Sequence, residues 1–351
     1  MGAAASLDRA QRRHPVLGVP IAVFYKFVDD QGPYLAAIIS FYGFLAIFPL
    51  LLLATSIFGI VLQGNPELQQ QVLDSTLATF PIIGDELGRP EGLQGSTTGV
   101  IVGALAATYG SLGLATALQN ALNVAWSVPR NNRPNPLWLR TKSLLLLMTA
   151  GLGVLAITVV SLLVGESGMV GIGNDSIVLW LTRLANVLLT GLLLTLVFGL
   201  AAARRHHLGW AAPGAFTVSV LWLGLQLTGA WYTTQVLAGT DGMNATFGLV
   251  LGLIGIIYVA SFIGVIGVEV NVVLARKLWP RALMTLFTDN VSLTDADRRA
   301  YASYARAQRH KVHENVEVRF IDPDTGEIHT PPEPERWRGR ADAEGGAGQA
   351  S

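Results

Sequence analysis

A set of polar side chains lies inside otherwise apolar stretches of this sequence. A charged side chain within a membrane is costly, and such residues commonly mark transport pathways, proton relays or ligand sites. The candidate intramembrane polar site consists of Gln119, Asn120, Asn123, Arg183, Asn186, Glu269 and Asn271. Carboxamide, carboxylate and guanidinium groups can bind a polar ligand, but this set contains no nucleophile paired with a base.

Motifs for enzyme chemistry are absent from the sequence. It has no cysteine, no phosphate-binding glycine loop, and no HExxH or GxSxG motif. His310 and His313 are three residues apart, but no third ligand type follows at metal-site spacing. We therefore expect no catalytic residue, no metal site, no cofactor, no enzyme activity and no nucleic-acid partner.

The composition is typical of a membrane protein. Hydrophobic residues make up 51% of the chain and charged residues 14%, the mean hydropathy is +0.46, and soluble domains carry about 25% charged residues. Six apolar stretches approach or exceed the roughly 20 residues that a spanning helix needs. They are Leu35–Leu62, Thr98–Trp126, Ser143–Gly165, Ile177–Ala203, Trp210–Ala238 and Thr246–Ala275. The sequence therefore predicts an all-α, polytopic membrane protein with six transmembrane helices.

The basic residues predict the orientation of these helices. Of the 24 Lys and Arg residues, all except Arg89 and Arg183 lie in the N-terminal arm, the loops after the second and fourth stretches, or the C-terminal tail. Basic residues concentrate on the cytoplasmic side of membrane proteins. Both termini are therefore predicted to be cytoplasmic, with the second and sixth spans running inward.

This orientation separates the candidate residues into two groups by depth. Gln119 and Asn123 share a helix face at the inner end of the second span, and Glu269 lies at the inner end of the sixth. Depth alone predicts one polar cluster there. Arg183 lies about 9 Å from the outer end of the fourth span, too far from Glu269 for a direct pair. Two alternatives stay open: Glu269 could only anchor its helix at the headgroups, and Arg183 could snorkel to the outer surface.

The chain divides into three predicted regions. Residues 1–34 form a cytoplasmic arm with an interfacial helix over Val16 to Gly32, residues 35–280 form the transmembrane domain, and residues 281–351 form a polar, largely disordered cytoplasmic tail. Within the tail, Thr294 can cap a helix over Asp295 to Lys311, and Val316 to His329 can form a small hairpin. Gln63 to Thr97 is a long acidic outer loop.

Two features predict how the spans pack. Pro49 removes a helix hydrogen bond, so it should kink the first span near mid-membrane. The second and sixth spans are rich in small residues that let membrane helices approach closely. These include Gly110, Gly113, Gly255, Gly264 and Gly267. We expect these small residues to pack helices together within one bundle rather than to form the interface of a dimer. A homo-oligomer remains an alternative.

Several short motifs in this order carry a family resemblance. They are Ser40–Leu50, Tyr109–Ser111, Gln119–Trp126, Tyr258 and Gly267–Asn271. Over about residues 15–280, the chain resembles the YihY/virulence factor BrkB family of bacterial inner-membrane proteins, formerly labelled ribonuclease BN. The resemblance implies six spans and a multi-pass location in the bacterial cytoplasmic membrane. Ile256 stands where the family usually carries a Trp, which indicates a divergent branch.

Three functions remain at this point. The family is associated with serum resistance and with envelope lipid or lipopolysaccharide handling, which implies a transporter or flippase-like protein with membrane lipids as partners and an amphiphilic substrate. The second function is a structural scaffold of the envelope, acting through the tail and the outer loop. The third is a membrane-bound hydrolase or ribonuclease, but no His and Asp cluster exists to activate water for hydrolysis.

Overall fold

The computed structural model describes residues 8, 10–61, 97–133, most positions from 138 to 153, and residues 175–201, 208–235, 243–283, 291–311, 313–321 and 326–331. Nearly all of these residues are helical. The α-helices are α1 (Pro15–Asp29), α2 (Gly32–Val61), α3 (Thr97–Ala125), α4 (Asp175–Ala201), α5 (Ala212–Gln235), α6 (Met243–Arg276) and α7 (Asp295–Ala307). Short 3-10 turns cover Arg130–Asn132 and Leu208–Trp210.

Three of the described helical stretches are long and apolar enough to cross a membrane. They are Ile101–Ala125, Trp180–Ala201 and Val250–Arg276, while Gly32–Ile47 is apolar but shorter. Large apolar side chains on these helices remain exposed, such as Leu105 at 70% and Leu251 at 66%. Exposed apolar faces on long helices are what a lipid environment favours. The protein is therefore an all-α membrane protein.

The helices α2 to α6 cover five of the six stretches predicted to span. Most of the remaining stretch, Ser143–Gly165, lies outside the described residues, as does nearly all of the acidic outer loop Gln63–Thr97. Pro49 falls within α2, which is one α-helix from Gly32 to Val61. The kink expected at Pro49 stays a prediction.

Helix α6 is the centre of the bundle. It packs against α1, α2, α3 and α5, while α3 also packs on α2 and α4 packs on α5. The hydrophobic core lies toward the C-terminal half of α6, where Val272 and Val273 are completely buried. Ala22 of α1, Leu122 of α3 and Ala300 of α7 join the same core. Segments before and after the predicted spans therefore help to build it.

Helices α3 and α6 end in the same way. The amide of Val128 bonds the carbonyl of Asn123 at 2.8 Å, and the amide of Leu278 bonds the carbonyl of Val273 at 3.0 Å. A left-handed residue occupies each turn, for example Ser127 with φ of 46°. These features define the Schellman motif, which satisfies the last carbonyls of a helix.

One side chain ties these two helix ends together. The guanidinium of Arg276, the last residue of α6, donates to the carbonyl of Trp126 and lies 5.7 Å from the centre of the Trp126 ring. The C-termini of α3 and α6 therefore lie side by side, as expected for two helices that run in the same direction.

Helices α5 and α6 touch through their backbones. A Cβ atom on Gly214 would lie 1.8 Å from the carbonyl oxygen of Gly267, and one on Gly267 would lie 2.2 Å from Val218. The Gly214 amide donates to Oδ1 of Asn271 at 2.7 Å. Because the first amides of a helix have no partner within it, Asn271 satisfies one orphan donor of α5.

The other glycines predicted to allow close packing divide into two sets. A Cβ on Gly110 would lie 2.9 Å from Cα of Ala46, so α3 and α2 also approach through a glycine. Gly113 packs against the Tyr42 ring, but Gly255 and Gly264 have nothing within 4 Å of such a Cβ. The expected close packing is therefore present at Gly110, Gly113 and Gly267, while Gly255 and Gly264 form no such contact.

The tail contains the two elements expected of it. Thr294 accepts a bond from the amide of Asp297, whose carboxylate bonds the Thr294 amide in return, so α7 begins with a capping box. Strands Phe320–Ile321 (β1) and Ile328–His329 (β2) pair antiparallel, with Phe320 opposite His329. Helix α7 ends at Ala307, earlier than the predicted Lys311.

The glycine contact between α5 and α6 predicts a specific loss of stability. Gly214→Ala should lower the midpoint of thermal unfolding of the purified protein, because forcing a methyl group into close-packed backbone costs about 1–3 kcal/mol. Gly264→Ala is the matched control, since it adds the same methyl group where nothing lies within 4 Å. Equal midpoints for the two variants would contradict this packing.

Candidate functional site

The residues predicted to form one inner cluster bind separate partners. Gln119 donates to the Ser143 hydroxyl at 2.8 Å, and Asn271 accepts the Gly214 amide described above. Oδ1 of Asn120 lies 3.5 Å from a guanidinium nitrogen of Arg133.

Glu269 has different neighbours from those expected. Within the described residues, no hydrogen bond or ion pair joins it to the amides of α3. Asn123 is buried at the end of α3, where its backbone carbonyl holds the helix-ending turn. Depth along a helix does not determine which face meets which neighbour, and α1 covers the face of α6 that carries Glu269.

Arg183 and Asn186, the candidate residues of the fourth predicted span, have contacts of their own. The guanidinium of Arg183 lies over the ring of Trp180 at 5.1 Å from its centre, and Trp180 is exposed. Arg183 and Asn186 are both half-buried on α4. Trp180 precedes Arg183 by almost one helical turn, so the contact between them directs the Arg183 guanidinium toward the start of α4. This is the direction expected if Arg183 extends toward the outer surface.

Glu269 belongs to a buried group that we call the acid–lysine cluster, formed by Lys26, Asp30 and Glu269. The Lys26 ammonium hydrogen-bonds the Asp30 carboxylate and lies 3.6 Å from Oε2 of Glu269. All three side chains are almost completely buried, and Glu269 is 0% exposed. A headgroup anchor would keep its carboxylate in contact with water, so this burial argues against the anchoring alternative for Glu269.

The sequence of α1 places the lysine and its aspartate together. Lys26 and Asp30 are four residues apart, so they share a face as α1 ends. Gln31 then takes a left-handed conformation with φ of 57°, which turns the chain into α2. The ring of Phe27 packs 4.6 Å from that of Phe262, which holds the end of α1 against α6.

A second buried charge lies just beyond α6. The guanidinium of Arg281 bonds Asp29 at 2.9 Å and also bonds Asp297 at the start of α7. Its carbon lies 5.6 Å from the Tyr25 ring centre and 5.3 Å from that of Tyr301. We call Arg281, Asp29 and Asp297 the arginine network. It joins α1, the end of α6 and α7 through one side chain.

Helix α7 covers the acid–lysine cluster. The Tyr304 hydroxyl donates to Asp29 at 3.3 Å, and the Lys26 ammonium lies 5.0 Å from the centre of the Tyr304 ring. The N-terminal arm reaches the same place, because the Gln11 amide donates to the carbonyl of Arg281. The acid–lysine cluster therefore lies under a cover built from both ends of the chain.

Burial and neighbouring charges shift the pKa values of Asp30, Tyr304 and Arg281. Burial raises the pKa of Asp30, and the Lys26 ammonium only partly opposes that effect. Burial also raises the pKa of Tyr304, with a further rise from Asp30 and Asp29. Although burial disfavours the charge on Arg281, Asp297 and Asp29 together raise its pKa above the usual value. Arg281 is therefore a fixed positive charge, and its neighbours must neutralise it.

Several of these residues were not among those predicted from the sequence. The sequence could have indicated Lys26 and Asp30, because they interrupt an apolar stretch at the spacing of a helical ion pair. No sequence pattern indicated that Arg281 and Asp297 are buried partners, because each lies in a polar segment where charged residues are common. Among the residues that the structure describes, no group of three His, Cys, Asp or Glu is placed to hold a metal ion.

A comparison with protein families identifies the family of this chain. The family described as Virulence factor BrkB matches residues 23–284 of the 351-residue chain. That range includes the whole acid–lysine cluster and Arg281, but it ends before α7. No curated protein and no solved structure matches the chain.

Because Arg281 joins α1 to α7, we expect its substitution to loosen the docking of α7 over the acid–lysine cluster. Arg281→Gln should destabilise the protein by about 3–5 kcal/mol, because breaking a buried ion pair leaves uncompensated charge on Asp29 and Asp297. The readouts are a lower thermal midpoint and faster proteolytic cleavage within α7.

The matched control for this substitution is Arg319→Gln, which removes an exposed ion pair with Glu317 in the same tail. Exposed pairs contribute little, so this variant should behave like the wild type. If α7 of the Arg281→Gln protein were as protease-resistant as wild type, the arginine network would not hold the cover in place.

Proposed function

We propose that this chain, which belongs to the virulence factor BrkB family, is a six-span protein of the bacterial cytoplasmic membrane that moves or binds a lipid or another amphiphile. Its chemistry needs no cofactor, and its ligand is a molecule with a polar head and an apolar body. Membrane lipids are its immediate partners.

The observation that carries this proposal is the position of Glu269. It lies within Val250–Arg276, a stretch apolar enough to span a membrane, and it is completely buried with a lysine beside it. Ionisable residues inside such stretches are rare and usually functional. A lipid needs a polar site for its headgroup next to an apolar surface for its chains, and exposed apolar residues cover the other half of α6, such as Leu251 and Val259.

The contacts between the two ends of the chain support an even number of spans. Gln11 in the N-terminal arm bonds the carbonyl of Arg281 beyond α6, so the arm and the start of the tail lie on one side of the bundle. An odd number of crossings between them would place them on opposite sides. Together with the basic residues, this contact supports six spans with both termini in the cytoplasm.

The proposal predicts lipid movement that depends on Glu269. Purified protein in vesicles carrying a fluorescent phospholipid should speed exchange of the probe between leaflets, measured by chemical bleaching of the outer leaflet. Glu269→Gln should slow that exchange at equal protein incorporation, because it removes the charge at the polar site.

Glu314→Gln is the matched control, since Glu314 is an exposed carboxylate in the tail. It should exchange lipid as the wild type does. Exchange that is no faster with wild-type protein than in empty vesicles, or equal rates for wild type and Glu269→Gln, would contradict this function.

A scaffold function is the second candidate, and the tail hairpin favours it. Ile321 and Ile328 face each other across β1 and β2, yet they are 69% and 58% exposed. An exposed apolar pair on a small hairpin fits a contact with another envelope protein.

The scaffold function has its own test. Substituting both Ile321→Ser and Ile328→Ser leaves α7 and the buried charges intact, unlike truncation after Pro280, which would remove Arg281 and Asp297. Under the scaffold function, this double variant should lose the cellular phenotype of the wild type while vesicle lipid exchange is unchanged. A cellular phenotype equal to wild type would contradict it.

A further inference from the structure

The acid–lysine cluster has an imbalance of charge. It contains two carboxylates, from Asp30 and Glu269, and one ammonium, from Lys26, and all three are buried. Lys26 can neutralise only one of the carboxylates. The neighbouring arginine network does not help, because Arg281 already faces Asp29 and Asp297. With every group ionised, the two networks together would hold two excess negative charges under α7.

The hydrogen bonds indicate that Glu269 is the carboxylate whose charge is not neutralised. Lys26 is bonded to Asp30, whereas neither carboxylate oxygen of Glu269 accepts a hydrogen bond from the described residues. The Tyr304 hydroxyl, on the helix above, donates to Asp29 instead. The carboxylates of Asp30 and Glu269 both contact the Lys26 ammonium, so two buried acids lie against one buried cation. An ionised carboxylate can only accept hydrogen bonds, whereas a protonated one can also donate, so a proton on either acid removes one of the two negative charges that compete for Lys26.

A metal cation is a poor candidate for the missing positive charge. The Lys26 ammonium already occupies the space next to both carboxylates, and it would repel a second cation. A proton adds the same charge and needs no coordination shell. Paired carboxylates commonly share one proton for this reason.

We propose that Asp30 and Glu269 bind one proton between them, so that the acid–lysine cluster is a proton-binding site. Uptake of one H⁺ from the surrounding water brings the cluster from one net negative charge to neutrality, and release reverses it. Because the cluster lies where α1 meets α6 beneath Tyr304, a change in its charge alters the attraction between these helices and the cover. The site therefore links proton uptake to the contact between α1 and α6.

Infrared spectroscopy of the purified protein tests this assignment directly, because a protonated carboxyl group has its own C=O stretching band. The wild type near neutral pH should show a band from a buried protonated carboxyl, and alkaline pH should abolish it. Glu269→Gln should remove the band. Asp30→Asn should also remove it, since Glu269 can then ionise beside Lys26.

Two further variants distinguish a shared proton from other sources of the band. Lys26→Met should strengthen the band, because both buried carboxylates then lack a cation. Glu314→Gln, which changes an exposed carboxylate, should leave it unchanged. The assignment is overturned if the wild type shows no such band near neutral pH, or if the band survives in both Glu269→Gln and Asp30→Asn. The measurement involves no lipid, so its result is independent of the vesicle experiment.

Discussion

A charge buried at the end of an apolar bundle must find a partner, and the architecture of this protein depends on that requirement. Arg281 has no exposed surface, and an unpaired buried guanidinium would cost several kcal/mol. Its partners come from distant parts of the chain, Asp29 at the end of α1 and Asp297 at the start of α7. Satisfying one charge therefore links α1 and α7 to the end of α6, in addition to the apolar contacts that these helices make with the core.

The same requirement explains why the polar site is enclosed rather than open. Lys26, on α1, places its ammonium next to Glu269 on α6, and Tyr304 of α7 lies over it. Tyr304 connects the two groups, because its ring centre lies 5.0 Å from the Lys26 ammonium and its hydroxyl donates to Asp29 of the arginine network. Movement of α7 would expose charge in both networks at once. Access to Glu269 is thus coupled to the docking of the tail helix.

Hydropathy and local signals were enough to predict much of the fold. The lengths of the apolar runs predicted helices close to α2 and α3, and Thr294 predicted the start of α7. These features depend on residues near one another in sequence. Which helix faces meet depends on packing across the bundle, so the sequence marked Glu269 as a candidate without indicating Lys26 as its partner. Gln119 was likewise expected near Glu269, but it bonds Ser143 instead.

The central claim is that the buried polar site serves a lipid or a similar amphiphile. The most direct test is the composition of the lipids that remain with the protein after extraction from its membrane in polymer-bounded discs. The account predicts that wild-type protein retains one headgroup class at a higher proportion than the bulk membrane, and that Glu269→Gln loses this enrichment. Lipids of the same composition as the bulk membrane around the wild-type protein would contradict it.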